Sequence, residues 1–159
     1  MEDLKMTDYD LLCKQAEALL DNAVWDITVM ANISSLLYNS MSDLNWAGFY
    51  LIKDEKLILG PFQGKPACTG IPIKEGVCAT AVLKDRIVRV EDVHKFPGHI
   101  ACDSASASEI VLPLRRNGKV FGVLDIDSPI EGRFSAEDEA GLEKLAKIAE
   151  DGINRFTPI

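Results

Sequence analysis

Three cysteines in the central part of the chain are followed closely by a group of acidic residues. Cys68, Cys78 and Cys102 are ten and twenty-four residues apart, whereas the cysteine pairs of a structural zinc site are usually separated by two to four residues. The acids that follow are Glu109, Asp125 and Asp127. This spacing favours thiol chemistry beside acidic groups over structural metal binding, and it indicates a redox enzyme.

Cys102 lies in a run of small polar residues that predicts a loop leading into the strand of Glu109. Nearby carboxylates raise the pKa of a thiol, so the acids are not expected to activate Cys102 directly. They can instead bind a cationic group of a substrate, and a carboxyl that keeps its proton can donate it to a leaving oxygen. Reduction of a sulfoxide needs such a donor, because the oxygen must be protonated as the sulfur is attacked.

The position of the acids depends on a predicted strand that ends at Asp127. Side chains alternate along a strand, so Asp125 and Asp127 should project from one face about 7 Å apart, while Leu124 and Ile126 enter the other. The alternative is that these acids are solvated surface charges. Their neighbours are nearly all apolar, and buried acids need a partner such as a ligand cation. We therefore expect them to line a pocket.

Whether Glu109 joins this pair depends on the turn at residues 116–119. A two-residue loop would set Glu109 opposite Ile126, on the wrong face, whereas a three-residue loop with Gly118 in the left-handed conformation would set it opposite Asp125. We predict the three-residue loop, because a lone glutamate beneath a helical layer would have no partner.

Trp46 and Tyr50 could form a second wall of the pocket. Four residues apart on a strand, they face the same way as Gly48, and an aromatic face suits a methyl group on electron-poor sulfur. The alternative is that both are ordinary core aromatics.

We assign no role to either histidine. His99 stands three residues before Cys102 and could orient or deprotonate it, but a role at the loop surface is favoured. A catalytic metal held by His94, His99 and Cys102 is disfavoured, because three ligands crowded into one loop are geometrically strained. We therefore expect no metal and no cofactor.

The hydrophobic pattern predicts helices at both ends of the chain and strands between them. Apolar residues recur at helical spacing from Tyr9 to Ser40, with a join near Asp21. A short helix should cover residues 76–84, and a final helix should begin at a Ser135 cap. The predicted strands cover residues 46–52, 56–59, 67–73, 87–90, 109–114 and 120–127. This is the pattern of an α+β fold, an antiparallel sheet with helices on one face and the other face left for a site.

Composition sets limits on the class of protein. The 159 residues, 47% of them hydrophobic, suit one domain over residues 1–159 with a real core. A net charge of −8 makes nucleic acid an improbable partner. The sequence shows neither a signal peptide nor an apolar run of membrane-spanning length, so we expect a cytoplasmic protein whose cysteines form no permanent disulfide. Cys13 is expected to be a small, buried or half-buried apolar residue of a helix.

Several strings of the sequence, in this order, closely resemble the free methionine-(R)-sulfoxide reductases, enzymes built on a GAF domain. The strings are residues 45–50 (NWAGFY), 60–68 (GPFQGKPAC), 76–78 (GVC), 91–94 (EDVH), 98–102 (GHIAC), 108–111 (SEIV) and 122–127 (GVLDID). The resemblance covers nearly the whole chain. It implies a GAF-like fold and reduction of free methionine sulfoxide.

The resemblance also implies roles for individual residues. Cys102 matches the thiol that attacks sulfur and becomes a sulfenic acid, and Cys68 matches the cysteine that resolves it to a disulfide, which thioredoxin then reduces. Cys78 matches a third cysteine that forms an alternative disulfide or has a packing role. The substrate-binding positions are Trp46, Tyr50, Glu109, Asp125 and Asp127. The family further implies a homodimer and a preference for the free R epimer.

The sequence departs from the family pattern at three positions. Gly70 replaces a frequent arginine, which removes positive charge near Cys68, Ala107 replaces an asparagine, and Ala79 replaces a glycine in a predicted helix. The main alternative function is a GAF domain that senses a small ligand without catalysis. An acidic pocket suits an amino-acid ammonium better than the phosphate of a nucleotide, which favours the enzyme.

Overall fold

The computed structural model describes residues 6–99, 102 and 104–156. The amino-terminal segment used to judge a signal peptide therefore lies partly outside the described residues. The predicted loop before Glu109 is described at Cys102 and from Ser104 onward. The α-helices are α1 (Tyr9–Asp21), α2 (Asp26–Ser40), α3 (Val77–Lys84) and α4 (Ala136–Ile153). None of the described helices is long and apolar enough to cross a membrane.

The strands form one six-stranded sheet in which every neighbouring pair is antiparallel. They are β1 (Trp46–Lys53), β2 (Lys56–Gly64), β3 (Gly70–Pro72), β4 (Val88–Val90), β5 (Ser108–Arg116) and β6 (Lys119–Ser128). Their order across the sheet is β3-β2-β1-β6-β5-β4. The long strands β1, β6 and β5 thus lie side by side in the middle, and this places the residues they carry on one rigid surface.

The alternation along the central strands divides the protein into two cores. Phe49, Ile110, Leu124 and other residues of that face pack against α1, α2 and α4. Burying each such side chain contributes about 1.5–3 kcal/mol. The opposite face carries Val111, Val123 and the site residues, and it is covered by α3 and the connecting loops. The predicted α+β fold, with helices on one face and the site on the other, is confirmed.

The final helix is fixed at its start by the predicted capping box. The Ser135 hydroxyl accepts a hydrogen bond from the Asp138 backbone N–H, and the Asp138 carboxylate accepts one from the Ser135 N–H. Two of the unpaired donors at the helix start are satisfied in this way. The Asp138 carboxylate also accepts a hydrogen bond from Tyr9 at 2.6 Å, which joins α4 to α1.

The predicted three-residue loop between β5 and β6 is wrong. Arg116 pairs directly with Lys119, and both residues between them have positive φ, 53° at Asn117 and 77° at Gly118. Asn-Gly is the pair that a two-residue hairpin of type I′ favours. The extra residue lies instead in a β-bulge, because Arg115 pairs with Val120 while Leu114 pairs with Gly122.

The bulge shifts the pairing of β5 with β6 by one residue, so that Glu109 projects from the same face as the two aspartates. The three-residue loop was predicted for that purpose. After the bulge, Glu109 lies opposite Asp127, and Val111 lies opposite Asp125. The expectation that Glu109 shares a face with both aspartates is confirmed, but its cross-strand neighbour is Asp127 rather than Asp125.

Two glycines let α4 approach α1 closely. A Cβ at Gly141 would overlap the Tyr9 ring, and one at Gly152 would come within 2.7 Å of Leu20. Glycine in a helix interior costs about 1 kcal/mol relative to alanine. Helix propensity disfavours a glycine at position 141, and the close packing of the Tyr9 ring explains why one is present there.

We expect Gly141→Ala to lower the free energy of unfolding by a net of about 1–2 kcal/mol, because overpacking outweighs the gain in helix propensity. Urea unfolding would measure it. In a Tyr9→Ala background, the same substitution should be neutral or stabilising. An equal loss in both backgrounds would show that the Tyr9 ring is not the cause.

Candidate active site

A disulfide joins the two loops that border the site. Cys68, in the connection between β2 and β3, is bonded to Cys102 in the segment before β5, with 5.4 Å between their Cα atoms. The two residues are 34 positions apart in the chain. The Cys102 side chain also contributes to the wall of a cavity of about 50 Å³ over the middle of the sheet. The structure therefore represents the oxidised form of these two thiols, and Cys13 and Cys78 are free.

Three carboxylic acids share one wall of this cavity. Glu109, Asp125 and Asp127 all line it, although they are only 7%, 5% and 9% exposed. Across the sheet, Asp127 is flanked by Trp46 and Glu109, and Asp125 is flanked by Gly48 and Val111. Pairing between the central strands, rather than any loop, fixes the positions of the acids relative to one another.

Burial changes the protonation of these acids. It raises the pKa of all three, and the neighbouring Asp125 charge raises the pKa of Glu109 and Asp127 further. Hydrogen bonds from Glu109 and Cys78 partly oppose the rise in the pKa of Asp125. The group therefore titrates as a unit that holds protons well above the range of an exposed carboxyl. Such a group can act as a proton donor at neutral pH.

Two oxygens of this cluster have no partner within the described part of the chain. They are Oδ1 of Asp125 and Oδ1 of Asp127, both buried. Burying a carboxylate oxygen without a hydrogen bond is costly. These atoms are therefore the ones that a bound ligand or ion would satisfy.

Trp46 and Tyr50 line the cavity and also hold the cysteine loop in place. The Trp46 indole donates a hydrogen bond to the Lys65 carbonyl at 3.2 Å, and the Tyr50 hydroxyl donates one to the Cys68 carbonyl at 3.0 Å. Burial, and then the Asp125 charge, raises the pKa of Tyr50, so its hydroxyl stays a donor. Sequence reasoning predicted the pocket wall but not this anchoring of the loop.

The stacking of the aromatics depends on Gly48. Trp46 stacks on Phe62 with 5.2 Å between ring centroids and on Tyr50 with 5.8 Å. A Cβ at Gly48 would overlap Phe62 and come within 2.9 Å of the Trp46 ring. The absence of a side chain at Gly48 leaves room for Trp46 and Phe62 to stack.

Cys78 lies on the helical side of the cavity. It is the second residue of α3 and is 7% exposed, and its Sγ lies within 4.8 Å of a carboxylate oxygen of Asp125. Burial, and then the charges of Asp125 and Glu109, raises its pKa well above that of an ordinary thiol. In this form, Cys78 is a protonated and unreactive thiol.

His99, Glu75 and Ser106 are cavity residues that sequence reasoning missed. Burial, and then the charge of His94, lowers the pKa of His99, so its ring is neutral at neutral pH. The position of His99 three residues before Cys102 could have indicated that the two side chains share a site. Such pairs are common by chance, so the spacing alone does not predict it. Glu75 packs against Gly98, where a Cβ would come within 2.7 Å of its side chain, and no sequence motif marks this contact.

The disfavoured metal site does not form among the described residues. The His94 ring bonds to Asp92 at 3.0 Å instead. Within the part of the chain that the structure describes, the side chains that could together hold an ion are Cys78, Glu109 and Asp125. All eight residues singled out from the sequence thus lie at the cavity or in the disulfide beside it, and their individual roles stay predictions.

Comparison with known proteins places this arrangement in a family. A family model for the GAF domain matches residues 29–154. The chain is 54% identical over 137 residues to the free methionine-R-sulfoxide reductase of Escherichia coli, covering 86% of this chain and 83% of that protein.

Solved structures agree with the sequence match. The reduced form of fRMsr from Staphylococcus aureus superposes with a TM-score of 0.91 at 49% identity, covering 96% of this chain and 99% of that one. The free methionine-R-sulfoxide reductase of Neisseria meningitidis, solved in complex with its substrate, gives a TM-score of 0.89 at 37% identity and covers 98% of this chain and 97% of that one. The chain belongs to the free methionine-R-sulfoxide reductase family of GAF-domain proteins.

Proposed function

We propose that this protein reduces free L-methionine (R)-S-oxide to methionine. The observation that carries the proposal is the Cys68–Cys102 disulfide beside a cavity walled by three buried acids. An oxidisable cysteine pair stores the two electrons that the reaction needs. The acids supply a proton to the oxygen, which a ligand-sensing domain would not require.

The proposed reaction has two chemical steps. The Cys102 thiolate attacks the sulfur of the sulfoxide and forms a sulfur–sulfur bond, while a protonated carboxyl of the acid cluster donates its proton to the oxygen. Transfer of the resulting hydroxyl group to the Cys102 sulfur breaks that bond, which releases methionine and leaves Cys102 as a sulfenic acid. The Cys68 thiol then attacks the Cys102 sulfur, which forms the disulfide and releases water. A thioredoxin-like dithiol outside the chain would return both cysteines to thiols.

The geometry supports a division of labour around the cavity. Trp46 and Tyr50 present an aromatic face to the methyl group of the substrate and hold the Cys68 loop by hydrogen bonds. Asp125 and Asp127, which line the cavity and each have one oxygen without a partner among the described residues, would bind the sulfoxide oxygen through a protonated carboxyl. Neutral His99 is available as a base for the Cys102 proton.

The finer features of the proposal come from the family. Thioredoxin as reductant and a cytoplasmic location suit a disulfide that must be reduced in every cycle. A homodimer would cover some of the exposed apolar side chains at the join of α1 and α2, Val24, Trp25 and Ile27. A monomer in sedimentation equilibrium would contradict the dimer.

The function is tested by NADPH consumption with thioredoxin and thioredoxin reductase. Both sulfoxide epimers would be offered, free and peptide-bound, and we expect turnover of the free R epimer. Cys102→Ser should abolish it because the nucleophile is lost, whereas Cys13→Ser, on the far side of the sheet, should leave it unchanged. Absence of turnover in the wild-type protein would favour the sensing function.

The resolving cysteine is tested by single turnover. The variant Cys68→Ser/Cys78→Ser lacks Cys68 and also Cys78, which could otherwise replace it. It should still release one methionine per chain, because methionine leaves before Cys68 reacts. A variant that released none would show that the role of Cys68 is misassigned.

We expect Asp127→Asn to lower kcat/KM by about 10²- to 10⁴-fold, because it removes a carboxyl from the proton-donating cluster. The raised pKa of Asp127 means that the folded state binds its proton more tightly than the unfolded state does. Its stabilising effect is therefore present at acidic pH and is lost as pH rises through the folded pKa.

The same variant should consequently gain thermal stability relative to wild type at mildly alkaline pH and gain less at mildly acidic pH. Thermal unfolding across pH would measure it, with Asp54→Asn at an exposed turn as the matched control. An unchanged kcat/KM would remove Asp127 from the site.

The oxidised form should not bind the substrate. Its cavity of about 50 Å³ is far smaller than the cavity of roughly 150 Å³ that binds one benzene molecule in a protein core. We expect Cys68→Ser/Cys102→Ser, which forms no disulfide, to bind free methionine sulfoxide at least ten times more tightly than the oxidised wild type in isothermal titration calorimetry. Equal affinity would show that the disulfide does not close the cavity.

A further inference from the structure

The cavity contains a set of potential metal ligands that the proposed reaction does not require as a group. One ligand atom from each of Cys78, Glu109 and Asp125 lies within 4.8 Å of the others. All three side chains are buried, at 7%, 7% and 5% exposure. They come from different elements, α3, β5 and β6, so the cluster is a product of the fold and not of one local motif.

A second observation points to a ligand at this place. Oδ1 of Asp125 and Oδ1 of Asp127 are buried without a partner in the described part of the chain, and both residues line the cavity. Its volume of about 50 Å³ holds a few water molecules and hence a small ion. A cation held by Asp125 would satisfy a carboxylate oxygen that the described residues leave unpaired.

The donor set selects the kind of ion. Zinc accepts thiolate and carboxylate together, at about 2.3 Å to sulfur and 2.0–2.2 Å to oxygen. Tetrahedral ligands at these lengths lie about 3.3–3.7 Å apart. Ligand atoms that lie as far as 4.8 Å apart would therefore have to approach by roughly 1.1–1.5 Å. Mg²⁺ prefers oxygen ligands in octahedral geometry and has little use for a thiolate.

The electrostatics of the cavity also favour a divalent cation. With their protons removed, Cys78, Glu109 and Asp125 would place three negatively charged ligand atoms within 4.8 Å of one another, and these would attract a divalent cation. Binding displaces the Cys78 thiol proton and a carboxyl proton to solvent. The imidazole of His99, which lines the same cavity, is a further nitrogen donor for such an ion.

The geometry points to a binding site for one divalent cation of the zinc class, held by Cys78 Sγ and by the carboxylates of Glu109 and Asp125, in the disulfide form of the protein. The site is independent of Cys68 and Cys102, whose sulfurs are bonded to each other in this form. It goes beyond the proposed function, which needs no metal.

The experiment titrates the oxidised protein with zinc alone in isothermal titration calorimetry. The disulfide removes Cys68 and Cys102 as competing ligands, so the free thiols are Cys13 and Cys78. We expect one ion per chain for the wild type and for the matched control Cys13→Ser, and at least a tenfold loss of affinity for Cys78→Ser and for Asp125→Asn. Mg²⁺ should not bind measurably.

A second measurement guards against a variant that fails to fold. Because a ligand that binds the native state raises Tm, zinc should raise the Tm of oxidised wild type and of Cys13→Ser, and it should raise the Tm of Cys78→Ser by less. Absence of zinc binding, equal affinity in Cys78→Ser, or loss of binding in Cys13→Ser would each overturn the proposal. No turnover enters the readout, so a chain that binds zinc without reducing methionine sulfoxide would refute the reductase and leave the cation site in place.

Discussion

The structure depends on the burial of three carboxyl groups against one another in a cavity at the centre of the sheet. Burial raises the pKa of Glu109, Asp125 and Asp127, and the charge of Asp125 raises the pKa of Glu109 and Asp127 further. A fold tolerates such a cluster only if the surrounding structure is stiff, since any relaxation would let the acids separate or become solvated. The pairing of β1, β6 and β5, and the helical core behind them, supply that stiffness.

The rigid sheet and the cysteine loops are connected through the aromatic wall. Trp46 and Tyr50 project from β1 and donate hydrogen bonds to the backbone of the segment that carries Cys68. The sheet thus fixes the acids directly, and it fixes Cys68 indirectly through the hydrogen bonds of Trp46 and Tyr50. In the proposed reaction Cys68 has to move toward Cys102 and away again, so a loop held by two hydrogen bonds suits it better than a position in a strand.

Much of this arrangement follows from the sequence, because periodicity is a local property. The helices could be predicted from the helical spacing of apolar residues, and the common face of Asp125 and Asp127 from alternation along a strand. The bulge beside Phe121 could not, because it depends on pairing between strands and leaves no mark in the local pattern. The predicted face of Glu109 is correct, but the predicted length of the loop between β5 and β6 is wrong. His99 and Glu75 were missed because their position depends on how loops fold over the sheet.

The bond between positions 68 and 102 encloses β3, α3 and β4 in a covalent ring. Closing a ring of this size reduces the conformational freedom of the denatured chain and is worth about 3–5 kcal/mol in the chain-entropy account. A spent molecule awaiting reduction would therefore resist proteolysis better than a freshly reduced one. The lifetime of the protein in the cell would then depend on the supply of reductant, and the protein would last longest when reductant is scarce.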